Sequence, residues 1–203
     1  MSLKREGCPR PSISRKDCGQ AEWVAGMFFL LMLGIILCVR LQLDAWQSSA
    51  GYLEDALAVS NLASALIDVE EYGRSHAVLI ADASAAYAVY LDAVRDNLQL
   101  NDRWECGNRT LISGPVEIAD YVIYNVRDDR VETIRVGRDG NVTERYSGLK
   151  GAVCAPNGVM VECTGVYSEI QFNVKGFLGI EVRAHKGKLV DVAAKGGEED
   201  EEQ

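Results

Sequence analysis

Residues 23–39, WVAGMFFLLMLGIILCV, run for 17 positions without a charged side chain, and the rest of the chain is ordered around them. As α-helix this run spans ~25 Å, close to the hydrocarbon thickness of a bilayer. Leu41 and Leu43 lengthen it if Arg40 snorkels to the interface, and Trp23 and Trp46 fall where interfacial aromatics sit. The residues expected to contact lipid are Trp23, Phe28, Phe29, Leu30, Leu31, Leu33, Ile35 and Ile36.

Charge is distributed unevenly around this run. Lys4, Arg5, Arg10, Arg15 and Lys16 precede it, whereas Asp44, Glu54 and Asp55 follow Arg40. Flanking Lys and Arg set orientation, so the N-terminus is expected in the cytoplasm, the span in the plasma membrane and the remainder outside. A cleavable signal peptide shares the basic start and apolar run, but the small residues Ser48 and Ala50 lie about ten positions too late for its cleavage site. A lipoprotein reading of Cys38 fails because Leu37 stands where a small residue is needed. A retained anchor is the expectation.

The net charge is −9, and five of the negatives form the terminal run Glu198–Glu202, which predicts a solvated tail. This acidic exterior opposes phosphate-backbone binding, so no nucleic-acid partner is expected. Six cysteines are spread along the chain; Cys106, Cys154 and Cys163 fall beyond the anchor. Their spacing is too sparse for a disulfide scaffold.

Tyr52–Val69 is rich in helix formers and free of proline. Leu53, Ala56, Leu57, Ser60, Ala63, Ser64 and Ile67 recur at helical spacing, while Glu54, Asp55, Asn61 and Asp68 lie elsewhere on the wheel. Ala56, Ser60, Ala63, Ser64 and Ile67 are the candidate helix-packing face, either against another subunit or beneath a sheet. If Gly51 does not break it, anchor and stalk form one helix of nearly 50 residues, ended by Tyr72 and Gly73. Asp82 then caps a second helix to about Leu98, with Tyr87, Tyr90, Leu91, Val94 and Leu98 as its buried stripe.

After Gly114 and Pro115 the apolar spacing becomes alternating. Strands are expected in EIADYVIYNV, VETIRV, NVTERY, VMVE, VYSEIQFNV, GIEVRAH and KLVDV, with turns at Asp128–Asp129, Asp139–Gly140 and Asn157–Gly158. Ile170, Phe172 and Val174 alternate with Glu169, Gln171 and Asn173, as in a sheet with one dry and one wet face. The fold class is therefore α+β: a transmembrane helix continuing into an amphipathic stalk, a second helix, then an antiparallel sheet. The boundaries are 1–22 for a basic cytoplasmic segment, 23–43 for the anchor, 44–71 for the stalk, 72–193 for the head and 194–203 for the tail.

No catalytic, cofactor-binding or metal-binding constellation emerges. His76 and His185 are isolated, and the acid pairs Glu70–Glu71 and Asp128–Asp129 sit at expected helix-end and turn positions. Phe177 and Leu178 in the Lys175–Gly179 segment form either a contact surface or, as expected here, a turn that folds Phe177 inward, and Asn108 and Asn141 match the glycosylation tripeptide. Cys154 and Cys163 flank the Asn157–Gly158 turn. A strict two-residue loop makes them diagonal neighbours, ~7 to 8 Å apart, so a disulfide between them needs a longer loop or a bulge.

An apolar N-terminal helix running into a stalk that carries a β-rich head resembles the pilin-like subunits of type IV-related systems. YLEDALAVSNLASALIDVEEYGR, at 52–74, followed by SGPVEIADYVIYNV, at 113–126, is similar to small proteins of tight-adherence (Tad) pilus loci. In the pilin family a peptidase cuts after a glycine, and a glutamate stands five residues on. Here Gly19 is followed at that distance by Val24, with Glu22 third. The resemblance thus implies a minor or accessory, TadE-like subunit that packs with other pilus or secretion-system subunits through anchor and stalk. The alternative class is a membrane-tethered sensor or ligand-binding ectodomain on the same anchor.

Overall fold

The computed structural model describes residues 15–107, 112–175 and 181–192, with side chains from residue 22 onward apart from residue 175. The expectations for the basic residues before Arg15, for Asn108, for the Phe177 and Leu178 turn and for the acidic tail lie outside the described residues. The chain divides into two compact units, Met1–Gln47 and Ser48–Gln203.

The described part of the first unit is helical. Helix α1 is assigned from Arg15 to Ser64, so Gly51 does not interrupt it. From Glu22 to Gln47 nearly every side chain is exposed.

The second unit is α+β, built on the last turns of α1, two further helices and a five-stranded sheet. The stalk does not continue to Tyr72. It stops at Ser64, and a short helix α2 begins at Val69 and runs to Ser75. Between them the chain turns extended, where Ile67 bridges Ile80 and the Asp68 amide donates to Leu79 O at 2.8 Å. Asp68 then caps α2 by accepting from the Glu71 amide at 2.9 Å. A capping aspartate at the start of a new helix is incompatible with helical backbone at its own position. Helix α3, Ala83–Asn97, begins as expected, with Asp82 accepting from the Ala85 amide at 2.9 Å.

The strands are β1 (Ser113–Arg127), β2 (Arg130–Val136), β3 (Val142–Leu149), β4 (Gly165–Lys175) and β5 (Glu181–Asp191), in the antiparallel order β3-β2-β1-β4-β5. Asp128 and Asp129 make the tight β1–β2 turn between the paired Arg127 and Arg130. Asp128 takes the left-handed region at φ 52, which aspartate tolerates better than most residues. The segments GIEVRAH and KLVDV, read from sequence as two strands, are parts of the single strand β5.

VMVE is not a strand of the sheet. It belongs to the long β3–β4 connection, which doubles back around Asn157–Gly158 with Ala155 N donating to Val159 O at 2.8 Å and Val161 N to Val153 O at 3.0 Å. Val153, Ala155 and Val161 pack on Val122, Tyr124, Val131 and Tyr167, covering half of the sheet face that was expected to be wet. That explains why Tyr121–Asn125 is buried without alternation. The uncovered half of this face carries Asp120, Arg135, Glu169 and His185.

The larger core lies on the other face, between the sheet and the helices. Leu57, Ile80, Tyr90, Leu98, Ile123, Ile134, Val166 and Ile170 are among its fully buried members, while Leu91 of the expected α3 stripe is only half-buried. Tyr87, Tyr90 and Tyr121 form a ring cluster, with the Tyr90 and Tyr121 centroids 4.7 Å apart.

Candidate membrane anchor and helix-packing face

The apolar run is uncovered. Phe28, Phe29, Leu30 and Leu31 each expose 60% or more of their surface, and Trp23, Leu33, Ile35 and Ile36 more than half. Leaving side chains of this size in water instead of burying them costs ~1.5 to 3 kcal/mol each. An apolar solvent or protein surface must therefore surround this helix. Among the described residues it is the one helix long and apolar enough to cross a membrane.

The candidate packing residues separate into two groups. Ala56, Ser60 and Ser64 are buried against the second unit's other elements, whereas Ala63 and Ile67 are exposed. The Tyr121 hydroxyl on β1 donates to Ser64 Oγ at 2.9 Å, and Asn97 Nδ2 on α3 donates to Ser60 Oγ at 2.9 Å. At Ala56, Ser60 and Ser64 the small face of the stalk is covered by its own chain.

Asn61, placed by sequence on the polar side, is fully buried. Its side-chain amide donates to Val166 O at 3.3 Å and Lys188 O at 2.8 Å, reaching both β4 and β5. Its position four residues after Leu57 and three before Ser64 was the signal available in the sequence. Hydrophobicity concealed it, because a buried amide is tolerated only when tertiary partners satisfy it.

Glu54 adds an ionic link between α1 and β5. Its carboxylate lies 2.8 Å from Lys186 Nζ and 2.6 Å from Lys188 Nζ. Hydrogen bonds from Lys186 and Lys188, reinforced by their charges, lower its pKa from the ordinary 4.5 to about 2. The folded state therefore binds this proton less readily than the unfolded state, and the stability contributed is present above pH 4.5 and lost as pH falls toward 2. Glu54→Gln should be less stable than the parent at neutral pH, the difference shrinking over that interval and with added salt. Thermal unfolding of the two proteins across pH 2–7 checks it.

His185 is exposed, with its Nδ1 2.9 Å from Glu169 Oε1; the Tyr167 hydroxyl donates to Glu169 Oε2 at 2.9 Å. The Tyr167 ring passes close to Gly187, where a Cβ would overlap its hydroxyl. Nearby Asp120 is raised in pKa by burial, against the opposing charge of Arg135. These are ion pairs on the open half of the sheet. Among the described residues no group of three or more His, Cys, Asp and Glu side chains is arranged to hold a metal ion.

Cys154 and Cys163 are free thiols. Cys154 bridges Met160, and the loop between Ala155 and Val159 is three residues long. That shifts the register away from the pairing a disulfide needs, so Cys163 lies beyond the residue opposite Cys154. Cys106 is a buried free thiol whose Sγ contacts Leu98 O at 3.4 Å.

No protein-family model, curated protein or solved structure matches the chain.

Proposed function

We propose that this chain is a single-pass membrane protein with a cytoplasmic N-terminus and an extracytoplasmic head, acting as a pilin-like, TadE-like accessory subunit of a type IV-related pilus or secretion system. Its role on this reading is mechanical and needs no catalytic residue. The carrying observation is that one helix, α1, supplies both an uncovered apolar run and, from Leu53 to Ser64, a core element of the sheet-bearing unit. A head merely tethered to an anchor needs no such sharing.

The outer side of the same helix supports a partner-binding role, since Val59 and Leu62 are more than half exposed. A photoreactive amino acid at Leu31 or Leu62, activated in native membranes, should give protein adducts containing a second copy or a polytopic membrane subunit. Adducts with lipid alone at Leu31, together with none at Leu62, would leave a tethered ectodomain as the better reading.

A further inference from the structure

The β3–β4 connection reverses through Asn157 and Gly158, both exposed. Gly158 takes the left-handed region at φ 82, and apart from its chain neighbours no atom lies within 4 Å of the place a Cβ would occupy. Asn157 Oδ1 accepts from the Val159 amide at 3.2 Å, and the Gly158 amide donates to Ala155 O at 2.8 Å. The first of these bonds turns the asparagine carboxamide along the chain, toward the residues that follow it.

An asparagine carboxamide can be attacked by the main-chain nitrogen of the next residue, and glycine crowds that approach least because it has no Cβ. The Val159 N–H already contacts Oδ1, so it is placed to stabilise the negative charge that develops there during attack. We propose that Asn157 is a self-modifying site that converts through a succinimide to aspartate and isoaspartate. The Gly158 nitrogen bonds to Asn157 Cγ, the Cγ–Nδ2 bond breaks, and the nitrogen's proton leaves with Nδ2 as ammonia. One solvent water then opens the ring at either carbonyl, leaving one new carboxyl group. Both products put a negative charge, and isoaspartate also a longer main chain, into the loop beside Val153, Ala155 and Val161, which cover the sheet.

Asn141 provides an internal comparison. It is also exposed, but its side-chain amide donates to Asp139 Oδ2 at 2.6 Å and the next residue is the branched Val142. The full chain in detergent micelles, kept folded by the criterion of near-ultraviolet circular dichroism, is aged at mildly alkaline pH and mapped by peptide mass spectrometry. Asn157 should be lost in favour of the acid mass, with both aspartyl and isoaspartyl forms separated by chromatography, while Asn141 keeps its amide. Asn157→Gln should abolish the change at that position. Retention of the Asn157 amide in the folded chain, while a free peptide of residues 153–161 loses it, would overturn the proposal. Aspartate without isoaspartate would also overturn it, because direct hydrolysis by water gives aspartate alone.

Discussion

Replacing both Leu31 and Ile35 by arginine should move the chain from the membrane to the soluble or aggregated fraction. Both side chains lie near the middle of the uncharged run and are largely uncovered. On insertion scales an arginine at the centre of a span costs ~2.5 to 3.5 kcal/mol and a lost leucine or isoleucine a few tenths more, so the pair costs about 6 to 8 kcal/mol. That is a change of about four to six powers of ten in partition. Leu62→Arg lies outside the span and should leave the chain in the membrane. Carbonate extraction of membranes followed by immunoblotting reads both results. Retention of the double-arginine protein would mean that the run is held by protein contacts.

The second large effect concerns the face of α1 that the sheet covers. Ser64→Leu inserts a bulky side chain into a fully buried position and removes the acceptor of the Tyr121 hydroxyl. Overpacking costs ~1 to 3 kcal/mol and the orphaned hydroxyl a similar amount, together about 2 to 6 kcal/mol. Ala63→Leu, one residue earlier but exposed, should change stability by no more than about 0.5 kcal/mol. Denaturant unfolding of the full chain in micelles, followed by near-ultraviolet circular dichroism, measures the difference. Equal effects from the two substitutions would show that the buried face is assigned wrongly.

The contrast between these neighbours marks what the sequence made legible. The long apolar helix, the Asp82 cap of α3, the Asp128–Asp129 turn and most of the sheet follow from local signals: an uncharged run, a capping residue, a tight-turn pair and alternation. Features decided by distant contacts were hidden. The stop at Ser64 depends on the Ile67–Ile80 bridge, and the burial of Asn61 depends on carbonyls more than 100 residues away. The β3–β4 connection has the apolar composition of a strand. Val153 and Val161 are spent on covering the sheet rather than extending it. Periodicity finds which residues are apolar, but it does not say which surface they cover.

In the proposed topology α1 holds an extracytoplasmic head on a membrane whose other side carries the N-terminus. Adding protease to intact cells or spheroplasts, with distinguishable epitopes at the two ends of the chain, tests this directly. The C-terminal epitope should be lost while a small fragment bearing the N-terminal epitope stays with the membrane. Protection of the full-length chain, or loss of the N-terminal epitope with the head protected, would contradict it.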